Sequence, residues 1–245
     1  MLAGQRAIVT GASSGIGAAT VSSLRAEGAR VAGGARRVDA VDADIALELD
    51  VTDPASCAAF VERAVSELGG LDILVNNAGL SLKRDPFAES TEEDERTVLE
   101  TNVNGLIRMT RLCVSQLEEG DGGHIVNLGS IAGLWPYEKG TVYCLSKAAV
   151  HAFSRGLRED LLGKPIRITN VAPGLVETEF SVVRFGGDRE KAAAVYEDVA
   201  LGGPIHAQDV ADCIMFAVTR APHVNIDEIV IMALAQSSGA RIVRD

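Results

Sequence analysis

Tyr143 and Lys147 stand four residues apart in a stretch of helical pattern, Val142–Leu161. That spacing puts both side chains on one helix face, one turn apart. A phenol beside an ammonium can move a proton. A free tyrosine has a pKa of about 10, too high for a base at neutral pH, and a neighbouring positive charge lowers it by favouring phenolate. The pair reads as a general acid in one direction and a base in the other. Ser130 precedes Tyr143 by thirteen residues and follows the strand-like run His124–Leu128. That is the carboxyl edge at which open α/β sheets bind ligands, so its hydroxyl is placed to hold a substrate oxygen beside Tyr143. Taken singly, these residues also suit an amphipathic helix and an ordinary turn. They gain meaning only together with other motifs.

One such motif is Thr10-Gly11-Ala12-Ser13-Ser14-Gly15-Ile16-Gly17, which follows the first apolar run and opens the first helical stretch. In a strand–turn–helix of this kind, Gly11 allows the tight turn and Gly15 lets the backbone approach a pyrophosphate. Gly17 lets the helix pack on the sheet. The free N–H groups at the helix start attract phosphate. The next run ends Gly33-Gly34-Ala35-Arg36-Arg37, with no acid at the place where Asp or Glu holds an NAD ribose. Arg36 and Arg37 suit a 2′-phosphate by charge and fork geometry, which predicts NADP. The alternative is a surface pair neutralised by Asp39, Asp42 and Asp44.

The elements that must position these residues alternate. Strand-like runs are Ala7–Thr10, Arg30–Gly34, Ala46–Asp50, Ile73–Asn76, His124–Leu128, Arg167–Val171 and Glu228–Met232. Helical patterns cover Gly17–Glu27, Pro54–Leu68, Glu92–Leu117, Val142–Leu161 and Ala207–Thr219. The rhythm predicts an α/β chain: a three-layer, doubly wound Rossmann fold on a seven-stranded parallel sheet, forming one domain over 1–245. Two places break it. The Arg36–Ile45 connection has room for one helical turn. Gly174–Pro204 is a long insertion with a helical pattern from Asp188 to Val199, and such insertions often form lids or binding loops.

Bulk properties narrow the function. A net charge of −11 disfavours nucleic acid and anionic membrane. With 47% hydrophobic but only 4% aromatic residues, the core must be aliphatic, as under a buried parallel sheet. Cys57, Cys113, Cys144 and Cys213 show no metal or disulfide spacing and predict reduced thiols in a cytoplasmic protein. The start of the chain shows no leader pattern, and no metal is expected.

The motifs together resemble the short-chain dehydrogenase/reductase family of single-domain type. TGASSGIG, Asn76-Asn77-Ala78-Gly79, the Ser130–Tyr143–Lys147 set and Pro173-Gly174 carry the resemblance over nearly the whole chain. It implies that Asn102 is a fourth catalytic member, holding a water relay near the lysine, with Asn104 a nearby decoy. It implies that Asp50 and Val51 border the adenine. Cofactor contacts are further implied for Gly11, Ser13, Ser14, Gly15, Ile16, Gly17, Asn77, Ala78, Gly79, Tyr143, Lys147, Pro173, Gly174, Val176 and Thr178.

Gly129–Gly133, Trp135-Pro136-Tyr137, Pro173–Phe180, Val183-Arg184-Phe185 and Pro222–Ile226 are similar to bacterial 3-hydroxy acid (serine-type) dehydrogenases of that family. This suggests NADP-dependent hydride transfer with a small 3-hydroxy acid. Ser130, Trp135, Tyr137, Tyr143, Phe180 and Arg184, with Phe185 nearby, would form the substrate pocket, and Arg184 would pair with a carboxylate. A surface Arg184 paired with Glu179 or Asp188 is the alternative. For the whole chain, the alternatives are a carbonyl reductase of specialised metabolism with a bulkier neutral substrate, and a non-catalytic NADP-binding sensor. A homotetramer or homodimer is expected.

Overall fold

Short aliphatic runs bounded by turns become seven parallel strands in the computed structural model, which describes residues 1–120 and 122–245. The order along the chain is β1 (Arg6–Thr10), α1 (Gly15–Ala26), β2 (Arg30–Ala35), β3 (Ile45–Glu48), α2 (Pro54–Leu68), β4 (Ile73–Asn76), α3 (Glu92–Leu99) and α4 (Leu106–Glu118). It continues with β5 (Gly123–Leu128), α5 (Thr141–Asp160), β6 (Ile166–Pro173), β7 (Val176–Glu177), α6 (Phe180–Arg184), α7 (Arg189–Ala194), β8 (Ile205–His206), α8 (Ala207–Val218) and β9 (Glu228–Ile231). The main sheet runs β3-β2-β1-β4-β5-β6-β9, every pair parallel. Strand order reverses between β1 and β4, which opens a crevice at their carboxyl ends.

Alternation along β1 divides the core. Ile8 joins Leu74, Met109, Leu117 and Ile125 on one face, under α2 and α4. Ala7 and Val9 join Val31, Val75, Leu24 and Ile214 on the other, under α1 and α8. Successive strand residues point to opposite faces, so one run feeds both layers. Each fully buried Leu or Ile stabilises the fold by roughly 1.5–3 kcal/mol. Helix starts follow their capping chemistry. Asp53 accepts from Ala55 N at 2.9 Å ahead of Pro54.

Several elements differ from expectation. The predicted helix Glu92–Leu117 carries a π-helical turn at Glu100–Gly105 between α3 and α4. This turn packs Gly105 onto Val51, where a Cβ would sit 2.8 Å from the Val51 side chain. β3 ends at Glu48, so Asp50 lies beyond the strand. The Arg36–Ile45 connection holds one 3-10 turn, Val38–Ala40. In the insertion, β7 pairs with β8 in a small separate sheet. The helix there is shorter than the Asp188–Val199 pattern. Asp188 caps it through Lys191 N at 3.0 Å, and Asp198 and Leu201 beyond it have positive φ, which helical backbone does not allow. The four cysteines are free thiols. No helix among the described residues is long and apolar enough to cross a membrane.

Candidate active site

A cavity of about 710 Å³ lies at the carboxyl ends of the central strands, within the usual range for small-molecule sites. Of the expected cofactor contacts, Gly11, Ser13, Ser14, Gly15, Ile16, Arg36, Arg37, Asp50, Val51, Asn77, Ala78, Gly79, Tyr143, Lys147, Pro173, Gly174, Val176 and Thr178 line it.

Gly17 is the exception. A Cβ there would sit 2.5 Å from Asn77 Nδ2 and closer still to the Gly11 carbonyl oxygen, so Gly17 serves helix–turn packing rather than the cavity wall. The Asn77 amide explains the crowding, since it donates to the Thr10 and Gly11 carbonyls at 2.9 and 3.1 Å. At the turn, Gly15 has φ +54°, a conformation that side chains disfavour. α1 begins at this residue, without a side-chain cap and without an acid in its first turn. Uncapped N–H groups at a helix start are the donor set a pyrophosphate needs.

The end of β2 is cationic. Arg37 donates to Glu179 at 3.0 Å and to Ser14 at 3.4 Å. Of the acids expected to neutralise the pair, Asp42 and Asp44 are bound to Arg25 instead. Burial pushes the Asp50 carboxyl up, but Thr52 hydrogen bonds and the Arg36 charge outweigh it and hold the carboxyl below its ordinary value. The residues present therefore fit a dinucleotide carrying an extra ribose phosphate.

At the centre, Ser130 ends the strand-to-turn junction of β5 and Tyr143 and Lys147 rise from the first turns of α5. Ser130 Oγ accepts from Ala132 N at 3.1 Å and donates to the Pro173 carbonyl at 3.3 Å. Lys147 Nζ donates to the Leu128 carbonyl at 2.7 Å and lies 5.9 Å from the Tyr143 ring centroid. Burial lowers the Lys147 ammonium to about 8. Burial also raises the Tyr143 phenol well above its ordinary value, and the neighbouring Tyr137 adds to this. The hydrogen bond with Ser130 and the charge of Arg184 oppose the rise. The sequence predicts that lowering from Lys147; Ser130 and Arg184 supply it instead.

Asn102 does not reach the cavity. The π-helical turn aims it inward, where its Oδ1 accepts from Leu80 N and its Nδ2 donates to the Leu80 carbonyl, both at 2.8 Å. Its Nδ2 also donates to Ser146 at 3.0 Å. Its amide pins the segment behind Gly79, close to Lys147. Asn104 is exposed and donates to Glu100. His151, one turn past Lys147, is buried and bonded to the Ser130 carbonyl at 2.9 Å and to Glu228 at 2.6 Å.

At the substrate end, Tyr137, Phe180 and Arg184 line the cavity with Ser130 and Tyr143. The Phe180 and Tyr143 rings lie 5.6 Å apart. Arg184 donates to the Tyr137 hydroxyl at 2.9 Å, and its Cζ lies 5.8 Å from the Tyr143 ring. It pairs with neither Glu179 nor Asp188. Trp135 and Phe185 do not line the cavity. The 3-10 turn Ile131–Gly133 carries Trp135 to the surface, where it is 42% exposed, and Tyr137 takes the wall. Arg84, Tyr196, Gln236 and Arg244 also stand on the wall, and no sequence motif marks them. They arrive from loops and a C-terminal tail that no local pattern ties to the site.

A family model for short chain dehydrogenases matches residues 5–185. An NADP-dependent 3-hydroxy acid dehydrogenase, YdfG, of Salmonella typhi is 38% identical over 239 residues, covering 94% of this chain and 95% of that protein. An oxidoreductase of Mycobacterium tuberculosis without an assigned reaction is 44% identical over 241 residues, covering 96% and 93%. A solved serine dehydrogenase, in a closed form complexed with NADP+, superposes with a TM-score of 0.91 at 36% identity, covering 98% and 100%.

Proposed function

The chain belongs to the short-chain dehydrogenase family and is an NADP-dependent oxidoreductase acting on CH–OH and C=O groups; we propose that its substrate is a small 3-hydroxy acid or the matching 3-oxo acid. The observation that carries this substrate class is Arg184, a guanidinium on the cavity wall 5.8 Å from the Tyr143 ring. A relative named for 3-hydroxy acids supports it.

When bound, NADP supplies the hydride acceptor for alcohol oxidation, or in reduced form the donor. The turn Gly11–Ile16 would hold its pyrophosphate, Arg36 and Arg37 its 2′-phosphate, and Asp50 and Val51 its adenine side. Ser130 hydrogen-bonds the substrate oxygen. Tyr143 takes the hydroxyl proton in oxidation and returns it to the carbonyl oxygen in reduction. Burial keeps the phenol protonated, which suits donation, and the Ser130 hydrogen bond and the Arg184 cation favour phenolate in the other direction. Lys147 also orients the nicotinamide ribose. Asn102 positions the wall behind Gly79. Arg184 receives the substrate carboxylate, and Phe180 and Tyr137 enclose the carbon chain.

One catalytic domain spans 1–245, with 174–204 as its substrate loop. We read the protein as cytoplasmic, in keeping with its free thiols. We read it also as a homotetramer or homodimer, with the exposed Phe216 of α8, Val230 of β9 and Leu234 as apolar contact surface. The test of the substrate class is a panel of 3-hydroxy acids and size-matched neutral alcohols assayed with NADP. Preference for the acids is expected. Equal or better turnover of the neutral alcohols would contradict it.

A further inference from the structure

The substrate end of the cavity is cationic, in a chain whose net charge is −11. The two acids on the cavity wall, Asp50 and Glu179, belong to the nucleotide end, where Arg37 holds Glu179. Among the described residues, no other acid lines the cavity, whereas Arg84 and Arg184 line it beside Tyr137.

The two arms converge on one ring. The Cζ of Arg84 lies 5.4 Å and that of Arg184 5.6 Å from the Tyr137 centroid, so they are no farther apart than the sum of those distances. They come from separate segments joined across the mouth. Lys83 N donates to the Arg184 carbonyl at 2.8 Å, and Arg184 Nε to the Lys83 carbonyl at 3.4 Å. Neighbouring acids are committed elsewhere, Asp94 to Lys83 at 2.6 Å and Asp188 to Lys191 at 3.2 Å. Asp85 is exposed and makes no ion pair with Arg84 among the described residues.

Two cations that share one ring face no paired acid, and a ligand carrying two negative charges can neutralise both. One carboxylate satisfies one guanidinium fork. Arg184, stacked beside Tyr143, is the arm for the carboxylate nearest the reacting carbon. Arg84 then faces whatever the far end of the substrate carries.

We infer that Arg84 is a second anion-binding arm and that the preferred substrate is dianionic, a 3-hydroxy or 3-oxo acid with a second carboxylate at its far end. This rests on the 3-hydroxy acid reading above and makes it narrower.

The test compares kcat/KM, with NADP, for 3-hydroxybutanoate and 3-hydroxypentanedioate, which differ by one carboxylate. The dicarboxylate should be favoured by about two- to fivefold at low salt, the scale of one exposed ion pair. The preference should shrink as ionic strength rises. Arg84→Met should remove most of that roughly two- to fivefold preference and Arg84→Lys less of it. Unchanged NADP affinity in a fluorescence titration would show that the variants are folded. A parent enzyme that prefers the monoacid, or an Arg84→Met variant with the parent's ratio, would overturn the inference while leaving the 3-hydroxy acid reading in place. Oxidation of a neutral alcohol but of neither acid would overturn both.

Discussion

The guanidinium of Arg37 donates to the Glu179 carboxylate at 3.0 Å and to the Ser14 hydroxyl at 3.4 Å. One side chain thus joins the end of β2, the glycine-rich turn and the start of the inserted segment. Both partners are more than half exposed, at 62% and 51%, so the pair contributes at most about 1 kcal/mol. It aims Arg37 without binding it tightly, and a phosphate dianion can compete for the same fork.

Replacing both arginines, Arg36→Ala with Arg37→Ala, should weaken NADP by about tenfold or more, the scale of a lost charged hydrogen bond. NAD, which lacks the 2′-phosphate, should change much less. Isothermal titration with both cofactors measures the difference. Equal losses would contradict the assignment of this pair to the phosphate.

Arg184→Ala should raise KM for a 3-hydroxy acid by about tenfold or more, because a carboxylate leaving water would lose its paired cation. A neutral alcohol of similar size should suffer far less. Comparing the two substrates separates charge recognition from general damage to α6, since Arg184 also hydrogen-bonds Tyr137. Equal losses on acid and alcohol would make Arg184 a structural residue.

Lys147 gives a pH prediction. Burial lowers its ammonium from 10.5 to about 8. Between those values the unfolded chain binds a proton that the folded chain does not, so stability rises with pH across this window. Below about 8 the folded protein carries the full cost of a buried charge. Lys147→Met should therefore be inactive yet melt at a higher temperature than the parent near pH 7, without cofactor. The gap should narrow as pH rises toward 10.5. Calorimetry of both proteins over that range checks it, and a variant less stable than the parent at pH 7 would contradict it.

What could be read from the sequence follows the range of the interactions involved. Strands such as Ile73–Asn76 and the glycine-rich turn are specified locally, by aliphatic runs and backbone chemistry, and these emerged at or near their expected bounds. The π-helical turn at Glu100–Gly105 was hidden, because the helical apolar pattern continues through it while packing of Gly105 on Val51 decides its geometry. Its consequence, Asn102 pinned to Leu80 behind the cavity wall, was hidden with it. Trp135 was misread for the opposite reason. Its place between Ser130 and Tyr143 suggested the pocket, and a single 3-10 turn sent it outward. Arg84 and Arg244 reach the wall through tertiary contacts, the second by a tail pairing Val199 with Arg244, which no spacing rule encodes.

In the proposed mechanism, Tyr143 moves the proton while a 3-hydroxy acid exchanges hydride with NADP. Its most direct test is NADPH formation from 3-hydroxybutanoate by the parent and by Tyr143→Phe, measured side by side, with NADP affinity as the control for folding. The parent should turn over, and the variant should bind NADP normally yet be slower by roughly 10²–10⁴-fold, the usual contribution of a positioned acid–base group. Turnover by the variant within about threefold of the parent, far below that range, would contradict the account.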